Sequence, residues 1–201
     1  MKSNKLLAAL PLLAIAMSAS AYAASDRTGY FGVTAGQATV DDLCDGIEVS
    51  CDDDAVSFRI HGGTELTDFA NLEVGYRYID DVEASGFISG VAVAAAINGH
   101  FVDTTLQLGL PESGPFKVFS KAGLMLWRLN YEVEASNGFL SISESDDDSG
   151  VAFRTGLGMS YQVSEQLRLR ADWDLLLNVG DEDETGEADI NVFSVGPEFR
   201  F

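Results

Sequence analysis

The sequence predicts an all-β fold: an eight-stranded antiparallel up-and-down transmembrane β-barrel, preceded by a cleavable signal peptide. Three observations predict it. Period-2 alternation recurs along the chain, most plainly in 191–201, where Phe193, Val195, Pro197, Phe199 and Phe201 oppose Ser194, Gly196, Glu198 and Arg200. Connections between the alternating segments switch regularly between short and long. Acidic residues crowd the long connections, whereas basic residues sit in the strands.

The first 23 residues read as a secretory signal. Lys2 and Lys5 form a positive start, 6–17 an apolar run interrupted only by Pro11, and Ala21-Tyr22-Ala23 a small-x-small cleavage pattern ending at Ala23. The run is too short for a membrane anchor, which needs roughly 20 residues. The expected organisation is a signal peptide over 1–23 and a barrel domain over 24–201. Any later membrane insertion must use strands, because only helices and closed barrels satisfy their backbone groups in hydrocarbon.

The predicted strands are 28–39, 55–64, 70–80, 100–110, 116–131, 150–163, 167–179 and 188–201. In the second, Val56, Phe58 and Ile60 oppose Ser57, Arg59 and His61; in the third, Leu72, Val74, Tyr76 and Tyr78 oppose Glu73, Gly75 and Arg77. The seventh is the cleanest, with Leu167, Leu169, Ala171, Trp173, Leu175 and Leu177 against Arg168, Arg170, Asp172 and Asp174. Each segment is long enough to cross a hydrocarbon band of about 25 Å when tilted.

Short connections fall at 63–69, 111–115 and 164–166, and long ones at 40–54, 81–99, 132–149 and 180–187. Short turns at one end and long loops at the other suit insertion from one side of a membrane, with both termini periplasmic. Residues 85–98 are apolar for a loop and are expected to extend the third and fourth strands. The long connections contain twenty acidic residues and no Lys or Arg. The formal net charge of −20 becomes about −22 once Lys2 and Lys5 leave. Nucleic acid is excluded as a partner, since phosphate binding needs clustered Lys and Arg.

The polar face mixes both charge signs with Gly75, Gly109, Gly123, Gly156, Gly158 and Gly196. An eight-stranded barrel has room inside only for side chains. Arg59, Glu73, Arg77, Lys121, Arg154, Arg170, Asp172 and Glu198 are therefore expected to fill the lumen as an ion-pair network; a conduction pathway is the competing reading. Phe116, Tyr161, Tyr78, Phe199 and Phe201 lie toward strand ends on the apolar face, as in an interfacial girdle.

Gly29-Tyr30-Phe31-Gly32-Val33, Leu72-Glu73-Val74-Gly75-Tyr76-Arg77, Lys121-Ala122-Gly123-Leu124-Met125-Leu126-Trp127-Arg128 and the terminal Phe201 carry a resemblance across the whole mature chain. It resembles the OmpA-like and OmpX-like eight-stranded barrels of the Gram-negative outer membrane. The resemblance implies that Phe199 and Phe201 form a C-terminal signal read by the barrel-assembly machinery. Larger OmpA-type members continue into a peptidoglycan-binding domain; this sequence ends at the eighth strand, so that tethering role is not expected.

Cys44 and Cys51 share one acidic loop of an exported protein and are expected to form a disulfide. Runs such as 52–54 and 146–148 invite diffuse Mg²⁺ or Ca²⁺ screening, bridging to lipopolysaccharide, but lack the glycine-punctuated spacing of a dedicated calcium loop. His61 and His100 lack a nucleophile motif around them, so no catalytic site, cofactor or dedicated metal centre is predicted. The expected function is that of a non-catalytic, monomeric surface-interaction or structural protein. A narrow cation-preferring pore is the alternative, and a lipid-modifying enzyme a distant third.

Overall fold

The computed structural model describes residues 29–41, 44, 50–88, 91–110, 114–136, 141–181 and 186–201. The signal peptide and its cleavage point after Ala23 lie outside the described residues. The strands are β1 (Gly29–Val40), β2 (Ser50–Asp52), β3 (Asp54–Thr67), β4 (Ala70–Ile88), β5 (Val91–Gly109), β6 (Phe116–Ser136), β7 (Ser141–Gln162), β8 (Leu167–Asp181) and β9 (Gly186–Arg200). The strand pairings among the described residues are all antiparallel. Eight strands form a ring, closed between β1 and β9 and between β4 and β5. The three-residue β2 is the ninth and stands outside the ring, paired only with the far end of β4.

Closure removes the edges that hydrocarbon does not tolerate. Following hydrogen-bonded partners once around, Tyr30 leads through Gly63, Glu73, Thr105, Gly123, Arg154, Leu176 and Ile190 back to Val40. The circuit returns ten residues farther along β1, so the strands must tilt to close. Gly29 and Phe201 exchange backbone hydrogen bonds of 3.0 and 2.9 Å at the end of that seam.

Four strands run well past the ring. β4, β5, β6 and β7 remain paired up to Ile88↔Val91, Ala92↔Ser136 and Ser136↔Ser141. Most of 81–99 and 132–149 is therefore strand and not loop. The extension foreseen for 85–98 continues into β6 and β7, because each hairpin satisfies its backbone on its neighbour. The result is a sheet that protrudes from one end, with β2 on its β4 edge.

Side-chain polarity inverts along these strands. On β6 the outward residues Val118, Leu124 and Leu126 give way to Arg128, Asn130, Glu132 and Glu134. The inward residues change oppositely, from Lys117 and Lys121 to Met125 and Trp127, then Leu129. On β9, outward Phe199, Val195 and Phe193 lead to Asn191 and Asp189, while inward Glu198 and Ser194 lead to Val192 and Ile190. Hydrocarbon surrounds the lower part, where the outside is apolar; water surrounds the protruding part, where the apolar side chains turn inward.

Aromatic pairs mark both margins of the apolar band. At the short-turn end Phe31 stacks on Phe199 at 5.9 Å and Phe116 tilts against Tyr161 at 4.8 Å. At the opposite margin Tyr76 bonds His100 Nδ1 at 2.8 Å, and Tyr78 lies 5.1 Å from the same ring. This band generates a prediction. Val195→Arg, an outward position at mid-band, is expected to lower stability in lipid vesicles by about 2–4 kcal/mol in urea unfolding. Glu134→Arg, outward but beyond the band, is expected to stay within about 0.5 kcal/mol of the parent.

Candidate functional site

The inward face of the ring builds two layers. The first is ionic, and every expected lumen residue lies in it, buried. Glu73 is fully buried; Arg59 reaches it at 2.9 Å, Arg170 at 2.5 Å, Gln107 at 2.6 Å and the Tyr30 hydroxyl at 3.2 Å. Arg170 also bonds Asp172 at 2.8 Å and Glu198 at 3.0 Å, and its guanidinium lies 4.9 Å from the centre of the Phe119 ring. Lys121 bridges Asp172 at 2.7 Å and Asp174 at 2.5 Å.

Two carboxylates complete this layer that the sequence reading did not include among the network residues. Asp103 on β5 accepts from Arg59 at 2.8 Å and from Arg154 at 2.5 Å. Asp174 on β8 joins Arg77 at 2.5 Å and Arg154 at 2.8 Å to its Lys121 contact. Arg59, Arg77, Lys121, Arg154 and Arg170 thus pair with Glu73, Asp103, Asp172, Asp174 and Glu198, and Lys117 and Arg168 are buried beside them. Alternation in Phe101-Val102-Asp103-Thr104-Thr105 and in Arg170-Ala171-Asp172-Trp173-Asp174 held the signal for both. Glycines make the space: a Cβ on Gly75 would meet the Arg59 guanidinium at 2.3 Å, and one on Gly158 the Phe119 ring at 2.3 Å.

The second layer is an apolar cap between the ionic layer and the protruding sheet. Ala38, Val40, Ala55, Ile79, Val82, Phe101, Met125, Trp127, Ala152, Leu176, Val179, Ile190 and Val192 form one buried cluster, with Ile97, Leu129 and Ala188 packed against it. Sequence reasoning placed most of these positions in strands, with Val40 and Val82 in long connections, but did not separate them from the ionic layer as a second core. The signal was present in the shift of apolar residues from outward to inward parity after Leu126.

Other expected residues fall apart from this core. Cys44 and Cys51 are disulfide-bonded with Cα atoms 5.7 Å apart, tying the turn after β1 to β2. Asp52, Asp53 and Asp54 bring carboxylate oxygens within 4.8 Å of one another, but Asp54 is engaged by Thr39 and Asp52 by the Asp54 amide. His61 is buried in the ionic layer, 3.8 Å from Glu198, whereas His100 faces outward in the aromatic margin. The two histidines are not brought together. Phe199 and Phe201 lie at the short-turn end, Phe199 outward against Phe31.

A closed ring of this size, filled by charge and girdled by aromatics, places the chain among small membrane barrels. The OmpA-like transmembrane domain matches residues 24–201. The chain belongs to that family. It is 25% identical to outer membrane protein A of Escherichia fergusonii over 141 residues, 70% of this chain and 38% of that protein. To the same protein of Klebsiella aerogenes it is 26% identical, covering 70% and 37%. The chain thus spans well under half the length of these curated relatives, matching their barrel part.

Solved structures share the fold. Neisserial surface protein A superimposes with a TM-score of 0.61 at 15% identity, covering 88% of this chain and all of that one. Ail, the attachment invasion locus protein of Yersinia pestis, gives 0.57 at 11%, with 88% and 100% covered. OprG from Pseudomonas aeruginosa gives 0.53 at 12%, with 86% and 96% covered. This OmpA-like barrel is an outer-membrane protein.

The network predicts a gradient of mutational cost. Asp174→Asn leaves three buried cations short of a partner and is expected to cost about 3–5 kcal/mol in urea unfolding. Glu198→Gln should cost less, because Arg170 keeps Glu73 and Asp172. Equal costs would contradict the assigned pairing.

Proposed function

We propose that the barrel is a non-catalytic surface-interaction protein, its protruding sheet facing the environment and its termini the periplasm. The single observation that carries this is the apolar cap over the ionic layer. Ions crossing the lumen would have to displace paired side chains and then enter an apolar cluster, where unpaired charge is costly. What remains available to partners is the protruding sheet and its acidic rim.

The narrow cation-preferring pore is the weaker reading for the same reason. The enzyme reading is weaker still: His61 faces a buried carboxylate and His100 a lipid-margin tyrosine. Phe199 and Phe201 would serve assembly from the short-turn end. Divalent cations would screen the acidic rim diffusely and bridge it to lipopolysaccharide. A structure of Ail holds the heparin analogue sucrose octasulfate; the acidic rim of this chain would repel such a polyanion.

Planar-bilayer recording tests the proposal. The purified barrel is expected to give no regular unitary currents. Reproducible unitary currents that disappear in Arg77→Met would overturn it in favour of the pore.

A further inference from the structure

On β5 and β6 the axis-facing side of the protruding sheet is apolar and continuous with the cap. Ile97 and Leu129 pack on the cap itself. Ala95, Tyr131 and Val133 share their parity on β5 and β6, and the Ile97↔Tyr131 and Ala95↔Val133 pairings set them side by side. Above the cap this face contributes to a groove of about 420 Å³ lined by Ala95, Ala96, Ile97, Tyr131, Val133 and four acidic residues. Those four are Glu132, Asp146, Asp147 and Asp148.

The acidic wall comes from β7, which runs along the groove with Asp146 opposite Tyr131 and Asp148 opposite Leu129. Residues 132–149 contain no Lys or Arg. Asp147, on the opposite face of β7, is engaged by Arg128 at 3.0 Å. Beyond Phe153, β7 pairs with no strand on its β8 side among the described residues, so the wall stands at the rim and open to water.

We propose that this groove binds a cationic amphipathic peptide segment, its apolar side chains on Ala95, Ile97, Tyr131 and Val133 and its Lys or Arg on Asp146 and Asp148, the two β7 carboxylates that share their face. The inference rests on the surface-interaction reading and names the class of partner. Charge complementarity selects the occupant. Another copy of this chain carries the same net charge of −20, and anionic lipid or polysulfate is likewise repelled. A purely hydrophilic polycation would leave the apolar floor unused, and a neutral apolar ligand the carboxylates. An extended segment with alternating Lys and apolar residues satisfies both surfaces at once.

The test uses the full mature barrel in neutral-lipid nanodiscs and a fluorescent peptide of about ten residues alternating Lys and Leu, read by anisotropy at about 150 mM salt. Saturable binding is expected. A Lys-Ser peptide of equal charge should bind at least about tenfold more weakly, and a Glu-Leu peptide or sucrose octasulfate should not compete. Asp146→Asn/Asp148→Asn and, separately, Val133→Gln should each weaken the Lys-Leu peptide by about tenfold or more. Asp146 and Val133 are exposed and Asp148 half-buried, all outside the membrane band, and retained heat-modifiable gel mobility checks the folding of both variants. Equal affinity for the Lys-Leu and Lys-Ser peptides, or no loss in Val133→Gln, would overturn the groove in favour of diffuse charge attraction. No binding at all would overturn it too, while a barrel silent in planar bilayers would leave the surface-interaction reading standing.

Discussion

Hydrocarbon around a polypeptide accepts no unpaired backbone amide, and nearly everything else in this barrel follows from that constraint. Satisfying it with strands requires a closed ring, and eight strands enclose a lumen with room only for side chains. The outward face is then committed to apolar residues, so the period-2 alternation delivers the polar residues inward. Charges delivered there must neutralise one another. A set of buried ion pairs joined through Glu73, Asp103 and Asp174 is the outcome. Such buried pairs add little net stability over apolar packing, but removing one member is costly. We regard the network as a device that specifies which side chain meets which, across strands far apart in sequence.

The same constraint ends abruptly where the lipid ends. Past Leu126 on β6 and Phe193 on β9 the outer solvent becomes water, and the ordinary rule of apolar inside and polar outside returns. The chain therefore carries two cores of opposite character stacked on one axis, an ionic one within the membrane band and an apolar one above it. At their junction the buried apolar cluster lies directly above the ion pairs. Above that junction the paired ends of β4 to β7 rise as a sheet, and its axis-facing side meets the acidic strand β7.

Much of this architecture was legible in the sequence. Alternation in Leu167 to Leu177 and in Phe193 to Phe201 located β8 and β9 and sorted their faces, because period-2 patterning is imposed directly by the strand. The lumen ions were legible for the same reason. Asp103 was passed over because Thr104 and Thr105 beside it blur the contrast between faces. The cap and the protruding sheet were harder. The extension over 85–98 was legible from its apolar residues, but Glu132 to Ser136 look like loop when judged by the alternation of the membrane band, since their polarity is inverted relative to it. Their strand character comes from pairing across hairpins, a long-range fact that local pattern only partly encodes.

Outward and inward polarity exchange at one level of the barrel. Nitroxide scanning of β6 in lipid bilayers tests it most directly, by comparing accessibility to oxygen and to a water-soluble nickel chelate. The account predicts that outward positions 118 to 126 favour oxygen and 128 to 134 favour the chelate, while inward positions 125 and 127 are reached by neither. Chelate access at 125 and 127, or oxygen preference continuing outward through 134, would contradict it.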